Sequence, residues 1–263
     1  MIRTSSVILS VEAMIKVEGL YKNLGGQPIL EDISFDIPSG ELIAILGLSG
    51  AGKTVLLKHL IGLFRPDKGR VVIDGVNIDA LSEAKLLKVR CNMGYLFQEG
   101  ALYDFMDVFD NVAFPLREHT PLKSSQVAAR VREVLKLVDL EGVEAKFPSQ
   151  LSGGMKKRVG LARAIVLGAK VLLCDEPTSG LDPIRSNDIS DLIAHVSRQI
   201  GSTTVITSHD INNSFRIANR LFIIDECRMA AIGTPQQLKA SQNPFVRQFL
   251  QAGMTGSGEV YGE

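Results

Sequence analysis

Cysteine is scarce. The 263 residues hold three, Cys91, Cys174 and Cys227, without metal-like spacing. That excludes a disulfide framework and fits a reducing compartment. Excess charge is absent too, since 29 Lys and Arg balance 29 Asp and Glu. This balance excludes the basic footprint of a protein that grips phosphate backbones, so no nucleic-acid partner is expected. The one basic run, Lys156-Lys157-Arg158, reads as a solvated helix face. Long apolar runs are missing as well: none approaches the ~18 residues that cross a bilayer. Val7-Ile8-Leu9 is too short for the core of a signal peptide, and Glu12 soon follows it. The chain is expected to be soluble, with any membrane part in another polypeptide. There is no internal repeat and no low-complexity tract.

What is present suffices for a real core, with 45% of residues hydrophobic. Ile33, Phe35 and Ile37 alternate with polar residues, the period of a half-buried strand. Val71 to Ile78 reads as a hairpin around Asp74-Gly75, a pair that tolerates the positive φ of a type I′ turn. Four runs are near-continuously apolar, as strands covered on both faces are: Leu42–Leu46, Val171–Cys174, Thr204–Thr207 and Leu221–Ile224. Helical patterns separate them. Ile189, Leu192, Ile193, Val196 and Ile200 mark one, with Asp182 placed to cap it and Pro183 at its first position. The alternation predicts a parallel sheet with crossover helices. Between about Gly100 and Ala169 no comparable strand occurs. Val127, Val131, Val134, Leu135 and Val138 form one amphipathic helix face there, which predicts a helical insertion.

Gly47-Leu48-Ser49-Gly50-Ala51-Gly52-Lys53-Thr54 matches the P-loop pattern, with an apolar strand before it and a helical pattern after it. Glycines let successive N–H groups curl around phosphate oxygens, and the positive end of the next helix adds to that field. Lys53 would neutralise the β- and γ-phosphates, and Thr54 would offer its hydroxyl to Mg²⁺. A P-loop alone leaves kinase, GTPase, transport ATPase and helicase open. The run Val171–Cys174 ends in Asp175-Glu176, adjacent acids that suit metal-assisted hydrolysis. Asp175 would hold Mg²⁺ through water, and Glu176 would polarise the attacking water as general base. His209 follows the run Thr204–Thr207, at a strand end where parallel sheets place ligand groups. Leu151-Ser152-Gly153-Gly154-Met155 opens a further helical pattern, which makes a second candidate anion site.

Taken together, these motifs resemble those of ABC transporter ATPases, in the expected order and over most of the chain, about Ile15 to Leu250. Gly47 to Thr54 is similar to Walker A, and Leu151 to Met155 to the signature. Asp175 and Glu176 are similar to Walker B with its catalytic glutamate. The resemblance implies that Gln98 is the Q-loop glutamine, close to Mg²⁺, and that Ser179-Gly180-Leu181-Asp182 is the D-loop. It implies that His209 is the switch histidine and that Tyr21 stacks on adenine. Two departures stand out: Met155 where glutamine is commonest, and Val55 where a hydroxyl residue often follows the threonine. Neither removes a phosphate or metal ligand.

The stretches Phe97 to Asp104 and Val108 to Thr120 resemble the ATPase of the Mla/Mce lipid-transport systems more particularly, and Met155 fits that group. The resemblance implies an α/β P-loop NTPase (RecA-like) core with an N-terminal antiparallel β subdomain and an inserted helical subdomain. The core would take about residues 14–99 and 160–240, and the insertion about 100–159. Residues 251–263 are expected to form a flexible tail. ATP and Mg²⁺ would be the cofactors. The partners would be a second copy in a head-to-tail dimer and a membrane permease, and in some systems an MCE lipid-binding protein and a STAS-domain protein. Ser152, Gly153 and Gly154 would reach the nucleotide of the other copy. The chain would sit on the cytoplasmic face of the inner membrane. An importer ATPase for another solute, and a non-transport ABC ATPase, remain the alternatives.

Overall fold

The structure, a computed structural model, describes residues 13–254. The chain opens with β1 (Ala13–Leu24), β2 (Gln27–Pro38) and β3 (Leu42–Leu46), followed by α1 (Lys53–Leu60). Next come β4 (Lys68–Ile73), β5 (Val76–Asn77), α2 (Glu83–Arg90) and β6 (Met93–Leu96). Three helices follow, α3 (Val108–His119), α4 (Ser124–Leu137) and α5 (Gly153–Ile165). The chain then alternates through β7 (Val171–Asp175), α6 (Pro183–Ile200), β8 (Thr203–Ser208), α7 (Ile211–Ile217) and β9 (Arg220–Asp225). It closes with β10 (Arg228–Gly233), α8 (Pro235–Lys239) and α9 (Pro244–Met254).

Two sheets result. One is antiparallel, in the order β2-β1-β4-β5; its Asp74-Gly75 turn has both residues at positive φ, 48° and 74°, as the hairpin reading requires. The other runs β10-β9-β3-β8-β7-β6, parallel except for β10. The four apolar runs are its central strands. Their period-2 alternation splits the core in two. Leu42, Ala44, Leu172, Cys174, Ile206 and Leu221 face the helical side with α3, α4 and α5. Ile43, Ile45, Leu173, Val205 and Phe222 face α1 and the antiparallel sheet. Burial on both faces is the physical reason these strands carry no polar alternation.

The fold class matches the expectation. The strand β6 is short and was not legible in the sequence, because Gly94 interrupts its apolar pattern. A Cβ at Gly94 would lie 2.4 Å from the Ala164 carbonyl oxygen, so the strand needs glycine for the close approach of α5. The expected tail needs one correction. Gln251 to Met254 finish α9, which is anchored by the buried Val246, Phe249 and Leu250. The rest of that tail, and the N-terminal stretch around Val7, lie outside the described residues. No helix among the described residues is long and apolar enough to cross a membrane.

Candidate functional site

The carboxyl ends of the parallel strands open on a cleft of about 590 Å³, lined by Ser49 to Thr54, Gln98, Glu176, Ser179 and His209. The P-loop turns from β3 into α1 at Gly52, whose φ of 94° is left-handed. A side chain there would meet the Ile29 carbonyl at 2.8 Å and Leu30 at 2.9 Å, so the position requires glycine. Lys53, 7% exposed, donates from Nζ to the carbonyls of Gly47 (2.8 Å) and Leu48 (3.1 Å) and lies 3.4 Å from Glu176 Oε1. Its ammonium thus offsets the partly buried Glu176 carboxylate, the first residue beyond β7.

Asp175 is buried at the strand end, and its carboxylate accepts from three hydroxyls. Oδ1 accepts from Thr54 Oγ1 (2.9 Å) and Thr207 Oγ1 (2.8 Å), and Oδ2 accepts from Tyr95 OH (3.2 Å). Burial, with the Asp175 charge added, pushes the Tyr95 phenol above its ordinary range, so it stays a donor. Glu176 leaves the strand at φ 44°, and its backbone N–H donates to Thr207 Oγ1 (3.0 Å). Its Oε2 lies 2.8 Å from Nδ1 of His209, which is two-thirds exposed. Gln98 Nε2 donates to Ser179 Oγ at 3.1 Å.

The signature residues stand apart from this cleft. Ser152 caps α5, accepting from the Met155 N–H at 3.3 Å, while Ser152 and Gly153 are exposed. A Cβ built on Gly154 meets nothing within 4 Å. This is an open helix N-terminus. Asp182 caps α6 by accepting from Arg185 N–H at 3.0 Å. Tyr21 lies within β1, paired with Lys68, whose ammonium is 5.5 Å from the ring centroid; it does not line the cleft.

The basic run on α5 departs from the reading of a solvated face. Lys157 is 5% exposed, and its Nζ has no hydrogen-bond partner among the described residues. The cause is helical phase: its turn of α5 passes beneath Gly100, so only Lys156 and Arg158 reach outward. Further along the same helix, Arg163 donates to the carbonyls of Gly100 (2.8 Å) and Ala101 (2.9 Å). Sequence reasoning missed Arg163, Tyr95, Thr207 and Ile29. None of the four carried a local signal; Thr207 is one of four hydroxyl residues in β8, with Thr203, Thr204 and Ser208.

Comparison with known proteins agrees with this geometry. The family model described as ABC transporter matches residues 30–179. The chain is 46% identical over 242 residues to a probable ribonucleotide transport ATP-binding protein, mkl, of Mycobacterium leprae, covering 92% of this chain and 70% of that one. It is 42% identical over 241 residues to MlaF of Escherichia coli K12, an intermembrane phospholipid transport system ATP-binding protein, covering 92% and 90%. Among solved structures, the dimeric post-hydrolysis state of the ATP-binding cassette MJ0796 bound to ADP and Pi superposes with a TM-score of 0.77. It is 29% identical, with 84% of this chain and 99% of that one covered. Clostridium perfringens cbiO1, part of the transporter complex cbiONQ, gives 0.81 at 32% identity, with 91% and 95% covered. Motif order, sheet topology and these likenesses agree: the chain belongs to the ABC transporter family, as an ATP-binding, ATP-hydrolysing subunit.

Proposed function

We propose that this chain is the motor of a lipid-transport complex, two copies of which close on two ATP molecules and open after hydrolysis. The observation that carries the ATPase part is the cluster of Lys53, Glu176 and His209 beside the P-loop, with Glu176 within 3.4 Å of both partners. Lys53 would exchange its two loop carbonyls for phosphate oxygens on ATP binding. Glu176 would accept the hydrogen bond of the attacking water, with His209 orienting the γ-phosphate side. Ser152, Gly153 and Gly154 of the second copy would supply N–H and hydroxyl donors to that phosphate. Tyr21, on β1 outside the lining of the cleft, would stack on an adenine that extends beyond that lining.

The Thr54 hydroxyl and the Asp175 carboxylate, 2.9 Å apart, with Gln98 in the same cleft, are hard oxygen donors of the kind Mg²⁺ takes. Bound there, Mg²⁺ would offset the charge that develops on the phosphates. The chain's own residues hold that position: Thr54 and Thr207 fix one oxygen of Asp175, and Tyr95 fixes the other.

The lipid assignment is supported by MlaF, with which the likeness runs nearly the full length of both chains. The name of the mycobacterial relative points instead to ribonucleotide cargo, so the cargo needs a direct test. A groove of about 460 Å³ between β6 and α3, lined by Tyr95, Phe97, Tyr103, Phe114 and Pro115, favours a permease docking on the helical insertion. Phe105, 77% exposed, lies close by in sequence. That permease would hold the chain at the cytoplasmic face of the inner membrane. An MCE lipid-binding protein and a STAS-domain protein complete the proposed assembly. The decisive experiment purifies the complex from membranes through a tag on this chain and identifies its subunits and bound lipids by mass spectrometry. Phospholipid together with an MCE subunit is the expected result. A permease bringing nucleotides or amino acids, and no lipid, would replace the lipid reading with the importer one.

A further inference from the structure

The buried strand β8 contains one hydroxyl whose partners are both acids of the site. Thr207 is fully buried and stands opposite Asp175 in the ladder between β7 and β8. A hydroxyl in such a place is costly unless both its proton and its lone pairs are used. Here both are. Its proton goes to Asp175 Oδ1 at 2.8 Å, and the Cys174 carbonyl, at 3.5 Å, is the weaker alternative. Its oxygen accepts the Glu176 N–H at 3.0 Å.

The second bond has a conformational consequence. Glu176 has a φ of 44°, a left-handed backbone that a residue with a side chain adopts only when its surroundings hold it there. The strand ends at Asp175, so the Glu176 N–H finds its partner in the hydroxyl rather than in a ladder carbonyl. That turn sends the Glu176 carboxylate toward Lys53 and His209. The Asp175 carboxylate stays behind, against Thr54 and Tyr95.

We infer that Thr207 is a positioning residue for the ATPase reaction. One hydroxyl fixes the carboxylate assigned to the metal and the backbone turn of the carboxylate assigned to water activation, and so sets their relative orientation. The inference rests on the ATPase reading of Glu176 and Asp175 and adds to it the group that holds them apart. It also predicts which substitution will distinguish orientation from packing. Valine has the shape of threonine and fills the same space, but it leaves the Glu176 N–H and one Asp175 oxygen without that partner. Serine restores the hydroxyl without the methyl group.

The test compares the wild type, Thr207→Val and Thr207→Ser in the membrane complex, by steady-state ATP hydrolysis and by crystal structures of the isolated chain without nucleotide. For Thr207→Val, kcat is expected to fall about 10- to 100-fold while KM for ATP moves less than about 3-fold, the size of losing a hydrogen bond to a charged group. Thr207→Ser is expected to return within about 3-fold of wild type. The valine structure is expected to show Glu176 out of the left-handed region or its carboxylate turned from His209. Valine at wild-type turnover, or serine as impaired as valine, overturns the inference. So does a valine structure with the Asp175 and Glu176 geometry unchanged. A wild-type complex that releases no phosphate defeats the ATPase reading instead, and the crystal structures still decide whether Thr207 holds the turn.

Discussion

The two helix ends proposed to meet the nucleotide are built in opposite ways. At the P-loop end every charged group is already engaged: Lys53 is buried against two carbonyls and Glu176, and Asp175 accepts three hydrogen bonds. At the signature end, Ser152 and Gly153 are exposed, and no side chain or backbone crowds the space above Gly154. Both ends present a helix N-terminus, so the difference does not lie in the dipole. It lies in what surrounds the dipole. A pre-organised site loses little freedom when its ligand arrives, whereas an open helix end needs a second surface to exclude water. On the proposed function, one chain carries a complete cis half and an unpartnered trans half, an asymmetry that a head-to-tail pair would resolve.

The largest effect should come from the cis half. Glu176→Gln keeps the shape of the side chain and removes the proposed base, so turnover is expected to fall by about 1,000-fold. ATP-dependent dimers should accumulate, because the bridge is no longer hydrolysed. Phosphate release and size-exclusion chromatography with ATP check the two halves of that statement; dimers absent in this variant would break the comparison at its cis end. Lys53→Ala should come next. It leaves the partly buried Glu176 carboxylate without its ammonium and removes the proposed phosphate partner, with ATP affinity expected to drop about 100-fold by calorimetry. Unchanged affinity would mean that the engaged lysine is structural only.

These contrasts also explain what the sequence made legible. The P-loop, the acids after Cys174 and the apolar strands could be read because each is a local pattern with a local cause: a left-handed glycine turn, or a strand buried on both faces. Strand β6 could not, because its pattern is broken by a glycine whose reason, the carbonyl of Ala164, lies 70 residues away in the chain. Lys157 misled for a similar reason. A basic run on a helix is ordinarily solvated, and only the packing of α5 beneath Gly100 buries its middle member. The contacts of Thr207 and Tyr95 with Asp175 likewise depend on which strands become neighbours, and strand order cannot be read from local pattern.

The trans half offers the next test, of smaller size. Gly154→Asp places a carboxylate in open space at the helix end, so the fold should tolerate it, and the melting temperature is expected to stay within about 2 °C. The same charge would face a triphosphate across the dimer. Dimerisation in the Glu176→Gln background is therefore expected to weaken at least about 10-fold, with ATP affinity of the single chain unchanged. Sedimentation with and without ATP separates these outcomes. A variant that dimerises as well as its parent would show that Gly154 does not meet the nucleotide, and the asymmetry would need another explanation.

The smallest effect should appear at the connection between the halves. Helix α5 carries Ser152 at its start, and near its end Arg163 donates to the carbonyls of Gly100 and Ala101, just beyond Gln98. Burial lowers the pKa of this guanidinium from its usual value, and its principal partners are backbone oxygens rather than a carboxylate. Two carbonyls at 2.8 and 2.9 Å suit a planar fork; a lysine ammonium satisfies such a pair poorly. Arg163→Lys keeps the charge and loosens the grip. If α5 moves with the Gln98 loop, the ATP concentration for half-maximal dimerisation should rise about 3-fold, while ATP binding to the separate chain stays as in wild type. Equal shifts in both would place the effect in the cis cleft alone. No shift in either would mean that the two ends, so differently built, respond to nucleotide without this helix linking them.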